Sequence, residues 1–518
     1  MPTSRSIQRF QEKITGVLSG FDRIVIRGTL GRIVSVAGLK DLLWHKQVLL
    51  KDFGKWAEPF SEELKQASFQ VAKDQHRPII YLESAATDKE KLAREIASKD
   101  EITTGLVAVL TCVEPCMSFE IHRNKDEKKL EPVRALRKCL FIYPYWIDPD
   151  FGWMNARIQT WLPFPIQVCL NGREWLARMM DHHQIRYRQN DNCFTWIEDI
   201  ERAQRLMNRQ MRISWPRALT RFARQLNPAH GRMFRGFPLR YYWSMYQSEW
   251  ATDVMFRTAA DLAAIYPALV LHGMQTFSSG DVMRFLGRKV HTRFEGEIVS
   301  DFKNRPEGIR IKHGVKDNSV KAYDKAGNGL RVETTMNNPS DFKVFRTKET
   351  DPDGKPQWLP LRRGIADVYR RAEVCPASNQ RDLDALAAVD TSTPLGELIR
   401  DICQPTTYRN KRVRGLRPWA EPDLALFRAV RRGEFCVNGF RNRDLQALLF
   451  DSTADTVEQQ RRRSARVSRL LRMLRAHHLI QKVPRTHRYL LTARGREVLC
   501  AVLAAHRIRL DQLNKLAA

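Results

Sequence analysis

The chain has 518 residues, more than one hydrophobic core usually serves, so roughly two to four domains are expected. A hydrophobic content of 43% with 9% aromatics excludes a wholly disordered chain. Lys and Arg number 87 against 58 Asp and Glu, a net charge of +29; a soluble protein so basic most often meets a polyanion, nucleic acid first.

The amino end, "MPTSRSIQRFQEKITGVLSG", has neither the apolar core nor the small-residue cleavage pattern of a signal peptide. No run reaches the roughly 18 uninterrupted apolar residues of a membrane span, and a cytoplasmic protein is expected. Nine cysteines are scattered along the chain. Only Cys112 and Cys116 lie close together, and no C-x-x-C pair suggests a zinc ribbon or redox dithiol. Buried, reduced thiols fit that pattern.

Residues 1–215 alternate strand and helix patterns. "FDRIVIRGTL" (21–30), "RPIIYLES" (77–84) and "GLVAVLTC" (105–112) are short runs rich in Val, Ile and Leu, separated by polar helical stretches such as "DKEKLAREIASKD". An α/β layer is predicted. "KCLFIYPYWI", "WMNARIQTWLP" and "FPIQVCLNG" then follow closely, with turn chemistry in "DPDFG", as in an antiparallel meander. Asn171 can cap the next helix, with Glu174 in its first turn.

Residues 216–350 are expected to open with helices ("YYWSMYQSEWATDVMFRTAADLAAIY") and to end in strands. "SVKAYDKAGNGLRVETT" (319–335) is the most informative stretch there. Strand alternation puts Lys321, Tyr323 and Lys325 on one face of the first strand, and Arg331 and Glu333 on one face of the second. Pairing through the Gly-Asn-Gly turn sets these side chains beside one another. The flanking lysines would favour the Tyr323 phenolate for attack on a phosphodiester. Arg331 would hold the phosphate, and Glu333 would bind Mg²⁺ or Mn²⁺ or act as a base. The alternative is a hairpin of solvated ion pairs, with Lys321, Lys325 and Arg331 meeting phosphates without chemistry.

Residues 351–410 read as a linker and helical connector. Residues 411–518 carry 24 Lys plus Arg against nine Asp plus Glu, about half of the excess positive charge. The order is an amphipathic helix "PDLALFRAVRRGEF", a short helix "RNRDLQALLF" with Asn442 as cap, the long helix "RRRSARVSRLLRMLRAHHLI", two short strands in "QKVPRTHRYLLT", and a closing helix. On the long helix Val467, Leu470, Leu471 and Leu474 share one face, with Met473 toward the other side. Arg466, Arg469, Arg472 and Arg475 advance by three and sweep around that other side, toward phosphates or guanine edges. Lys482, Arg485, His487 and Arg488 ring the strand pair and would straddle a phosphate backbone.

The stretch "ARVSRLLRMLRAHHLIQKVPRTHRYLLTARGREV" resembles winged helix-turn-helix domains of the multiple-antibiotic-resistance-regulator type. The resemblance covers about a fifth of the chain and implies duplex DNA contact through the helix and wing residues just named. "K-x-Y-x-K" followed by "L-R-x-E" resembles replication initiators of filamentous phages and rolling-circle plasmids over about 20 residues, although their two-histidine metal motif is absent.

Elsewhere, Glu120 and His122 in "FEIHRNKDEKK" with Asp181, His182 or His183 are a candidate metal set. Tyr143, Tyr145, Trp146, Trp153 and Trp161, close to Arg157, would either stack on single-stranded bases or fill a sheet core. No Walker loop, dinucleotide fingerprint or serine-hydrolase elbow is present. The expectation is a mixed α/β, multidomain, cytoplasmic protein that binds duplex DNA, of the kind mobile elements, phages and plasmids use. The alternatives are a tyrosine-dependent nicking or strand-transfer enzyme and a protein that binds RNA or single strands.

Overall fold

The computed structural model describes residues 7, 10–227, 230–277, 279–287, 298–305, 308–387, 394–431, 435, 439–450, 456–483 and 486–506. In chain order it begins with β1 (Ile14–Thr29), α1 (Val36–His45), α2 (Phe53–Asp74), β2 (Ile79–Leu82), α3 (Lys89–Lys99), β3 (Gly105–Asn124), β4 (Lys129–Asp148), β5 (Gly152–Gln159), β6 (Ile166–Asn171) and α4 (Gly172–His182). Then come β7 (Tyr187–Asn190), β8 (Cys193–Ile197), α5 (Ile200–Asn208), α6 (Trp215–Leu226), α7 (His230–Met233), β9 (Tyr242–Phe256), α8 (Ala259–Thr276), α9 (Ser279–Phe285), β10 (Ile298–Arg305), β11 (Gly308–Val315), β12 (Asn318–Lys325) and β13 (Gly329–Met336). The remainder is β14 (Lys343–Arg346), β15 (Gln357–Pro360), α10 (Val368–Leu386), α11 (Leu395–Cys403), β16 (Thr406–Tyr408), β17 (Lys411–Val413), α12 (Glu421–Val430), α13 (Asn442–Leu449), α14 (Val457–Ala476), β18 (Ile480–Lys482), β19 (Tyr489–Leu491) and α15 (Ala493–Ala505). No described helix is long and apolar enough to cross a membrane.

The fold is mixed α/β and divides into two compact units, one of Gln11–Leu262 with Asp317–Gln380, the other of Met1–Phe10, Ala263–Lys316 and Arg381–Ala518. In the first unit the strands of the main sheet run β12-β13-β9-β1-β6-β5-β4-β3-β2. Only β2 and β3 are parallel; β1, β4, β5, β6, β9, β12 and β13 pair antiparallel with their neighbours here. Strands from both sides of position 215 therefore share one sheet. The meander β4–β5–β6 matches the sequence expectation. The stretch "YYWSMYQSEWATDVMF" does not: it is strand β9, not helix. Trp243 and Met245 face inward while Tyr242 and Tyr246 stay exposed, and from Trp250 to Phe256 both faces are buried, with Asn379 of α10 against Trp250 and Thr252 on one and Arg173 of α4 against Asp253 on the other. Buried strands with two apolar faces lose the alternation that marks a strand in sequence.

Local chemistry sets the entry to α4. The Asn171 side chain accepts from the backbone N–H of Arg173 (2.7 Å) and of Glu174 (3.4 Å), a cap that satisfies otherwise unpaired donors. On the reverse side of the sheet, buried Asn379 of α10 accepts from Thr334 Oγ1 at 2.6 Å and donates to Trp250 O and Thr252 Oγ1. Even-numbered residues of β9 and β13 thus face α10, and odd-numbered ones face the opposite side.

In the other unit, α12, α13, α14, the pair β18–β19 and α15 surround a core of Leu424, Phe427, Leu445, Val467, Leu471 and Val498. Thr456 caps α14, accepting from Gln459 N at 3.2 Å. The expected cap at Asn442 is displaced by one residue. Arg441 precedes the helix and donates its backbone N–H to Asp444 at 2.7 Å, while Asn442 Nδ2 donates to Ser464 O and Ser468 Oγ and ties α13 to α14. Phe440 pairs with Tyr489 and adds one bridge to the strand pair. Gly439 (φ +66°) has no room for a Cβ, since Tyr489 O would lie 2.4 Å from it.

Candidate functional site

Two clusters collect the side chains singled out by the sequence, one in each unit. The first is the outward surface of α14. Val467, Leu471 and Leu474 are buried and Leu470 is partly so, while on the opposite side Arg461, Arg469 and Arg472 are exposed. A step of three residues turns back about 60° per step, so Arg466 and Arg475 lie about 180° apart around the axis. Arg466 sits over the Phe450 ring (5.7 Å) on one flank and Arg475 over the Tyr408 ring (5.4 Å) on the other. Between them Arg469 and Arg472 are exposed, and neither has an ion-pair partner among the described residues.

Arg461 joins them: eleven residues, close to three helical turns, separate it from Arg472, and it too is exposed and unpaired among the described residues. A step of three does not pick it out; a step of eleven does. Arg462 is spent on Glu458 at 2.5 Å. Met473 corrects the sequence expectation, being 5% exposed and packed in the core. In the strand pair Lys482 and His487 are exposed and Arg488 is half-buried. Val483 N–H donates to Arg488 O at 2.9 Å. Arg485 lies outside the described residues.

The second cluster lies in the first unit. β12 and β13 pair Lys321 with Glu333 and Tyr323 with Arg331, the side-by-side arrangement expected from alternation. What these residues face was not legible. Arg331 is fully buried. Its Nε donates to Asp253 Oδ1 (2.5 Å), Nη1 to Asp22 Oδ2 (3.0 Å), and Nη2 to Asn192 O (2.7 Å). It therefore cannot reach a phosphate, contrary to the sequence expectation. Arg173 at the start of α4, also fully buried, pairs with Asp253 at 2.9 Å. Asp22 accepts further from Asn171 and Asn192. Lys321 Nζ lies 2.7 Å from Glu333 and Lys325 Nζ 2.8 Å from Asp191, so both expected phosphate ligands are committed within the chain.

Tyr323 Oη donates to Glu333 Oε2 at 3.1 Å. Burial first, and the Glu333 charge second, push the phenol well above its usual range, the reverse of the activation expected from flanking lysines. Carboxylate oxygens of Asp22, Glu249 and Glu333 lie within 4.8 Å of one another. Burial, then the charge of Glu333, push Glu249 up to about 7, with Lys321 opposing. Burial also raises Asp22, against the pull of Arg331. Three hard oxygen donors suit Mg²⁺ or Mn²⁺, yet Lys321 and Arg331 already supply positive charge there. Half-buried Glu249 is the member left short of it.

The other candidates part ways. His122 Nε2 meets Glu120 Oε2 at 3.1 Å on an exposed strand, and among the described residues Asp181, His182 and His183 form no metal-binding group with them. Tyr143, Tyr145 and Trp153 are buried in the sheet core. Arg157 stacks over Phe141 at 3.8 Å and pairs with Glu114 at 2.8 Å. These rings are core rather than a platform for bases. Comparison with protein-family models, with curated proteins and with solved structures finds no match to this chain.

Proposed function

We propose that the chain is a nucleic-acid-binding protein that grips duplex DNA through the unit around α14, read as a winged helix-turn-helix with β18–β19 as its wing. One observation carries the proposal: Arg461, Arg469 and Arg472 stand outward on the face of α14 opposite its packed side, exposed and without carboxylate partners among the described residues. Exposed guanidinium groups in a row gain little from the protein itself and much from releasing the counterions of a phosphate backbone. Lys482 extends the charge along the wing, with His487 exposed beside it. Binding of labelled duplex, single-stranded DNA and structured RNA at two salt concentrations tests it. Duplex should bind tightest, with affinity falling steeply as salt rises; a preference for RNA would transfer the role to that ligand.

Glu249 favours a second reading, metal-assisted phosphodiester cleavage at Asp22, Glu249 and Glu333. A carboxyl raised to about 7 beside another carboxylate marks a cluster that a divalent cation would relieve. Such a cation polarises phosphoryl oxygens and lowers the pKa of a bound water. Asp22, Glu249 and Glu333 would hold it, while Arg331 and Arg173 keep Asp22 and the neighbouring Asp253 in place. Tyr323, held protonated against Glu333, serves here as a hydrogen-bond donor. Nicking of supercoiled DNA with Mg²⁺ or Mn²⁺, abolished by Glu249→Gln, supports this reading, and no nicking with either ion removes it.

A further inference from the structure

We infer that the hairpin β16–β17 is a second contact for backbone phosphates, set against the flank of α14 opposite Phe450. The inference rests on the duplex reading of α14 and extends it to a segment where the connector, residues 351–410, meets the basic region 411–518. Thr406, Thr407 and Tyr408 pair with Val413, Arg412 and Lys411, leaving Arg409 and Asn410 as a two-residue turn. Both have positive φ, 51° and 59°, as a type I′ turn requires. Asn tolerates that conformation; arginine adopts it at a steric cost. Arg409 thus sits in a tight two-residue turn rather than in a long loop.

The charge at the tip is not neutralised. Arg409, Lys411 and Arg412 are exposed, and among the described residues none pairs with a carboxylate; Arg409 only overlies the neighbouring Tyr408 ring at 5.7 Å. Arg414, two residues beyond Arg412, is bidentate to Asp423 at 2.7 and 2.8 Å. The chain therefore supplies a carboxylate to the arginine at the hairpin's base and none to the cations at its tip.

Three contacts register the hairpin on α14. Arg475 sits over Tyr408 at 5.4 Å, His477 Nε2 lies 2.9 Å from Arg414 O, and Val413 enters the core shared with Val467 and Leu471. The cations at the tip thus continue the arginine surface of α14 past its Arg475 edge. Clustered, unpaired cations on a tight hairpin beside a basic helix suit successive phosphates of one strand, which fix register without reading bases.

The test uses the full chain and a labelled 30-base-pair duplex, with fluorescence anisotropy followed against NaCl. Arg409→Ala/Lys411→Ala/Arg412→Ala should weaken binding by roughly 5- to 50-fold at 150 mM salt and flatten the plot of log affinity against log salt by about 2 to 3. Arg409→Lys/Arg412→Lys should keep most of the affinity, since phosphate contacts need charge more than fork geometry. The changes are confined to exposed tip residues, and an unchanged melting curve accompanies each variant. If the triple variant binds within twofold of the parent while Arg469→Ala/Arg472→Ala weakens binding, the hairpin inference is overturned and α14 stands alone. If neither variant changes binding, the duplex reading itself has failed. Loss of RNA binding with duplex binding intact overturns the inference as well.

Discussion

Replacing Glu249 by Gln tests the electrostatics of the carboxylate cluster. Glu249 rises from 4.5 to about 7, so the folded chain binds its proton more tightly than the unfolded chain does. Stability therefore falls as pH rises through the interval from about 4.5 to about 7, and the whole cost is present above it. At 1.36 kcal/mol per pH decade the rise corresponds to about 3 kcal/mol. Glu249 keeps some exposure, and solvent screening reduces the expected gain of the variant to ~1–2 kcal/mol. Gln preserves the side-chain shape and an acceptor for Gln247 Nε2, 3.4 Å away. Urea denaturation at pH 8 should show Glu249→Gln more stable than the parent, with the difference fading toward pH 4.5. An equal or lower stability at pH 8, or a difference that does not depend on pH, would refute the reasoning.

Arg331→Ala should destabilise the first unit by about 3–5 kcal/mol, because Asp22 and Asp253 stay buried without their shared partner; Arg331→Lys should recover little, since one ammonium cannot reproduce a fork across two carboxylates. Chemical denaturation of both variants measures this, and full recovery by Lys would count against the fork. Ultraviolet titration should find Tyr323 protonated through pH 10, as the difference between parent and Tyr323→Phe. If nicking occurs with Mg²⁺ or Mn²⁺, that variant should retain it and form no less protein–DNA adduct than the parent. A covalent adduct lost in Tyr323→Phe would restore the tyrosine to the chemistry.

The parts legible in sequence are those governed by local periodicity. The register of β12–β13 follows from alternation across a glycine-rich turn, the apolar face of α14 from its 3.6-residue repeat, and the Asn171 cap from residue type. Alternation assigns side chains to faces but does not say which face is covered. Arg331 thus read as a phosphate ligand although it is sealed beside Asp22 and Asp253. Asp22, Arg173, Glu249 and Glu333 are far apart in sequence, and only the strand order β13-β9-β1-β6 assembles them. The register shift between Phe21 and Ile24, which no sequence signal announces, falls at Asp22 itself. Met473 read as outward because the helical repeat knows nothing of the other elements packed around α14. Strand β9 read as helix because burial on both faces erased its alternation.

The salt dependence of duplex binding by Arg469→Ala/Arg472→Ala, compared with the parent chain, tests the assignment of α14 most directly. Each phosphate neutralised contributes a slope of about 0.9 in log affinity against log salt, so removing two should flatten the line by about 1.8. Affinity at 200 mM salt should fall by roughly an order of magnitude while far-ultraviolet circular dichroism stays the same. Parallel lines with coincident affinities would contradict the account, since two exposed guanidinium groups that can be removed without effect do not meet a polyanion.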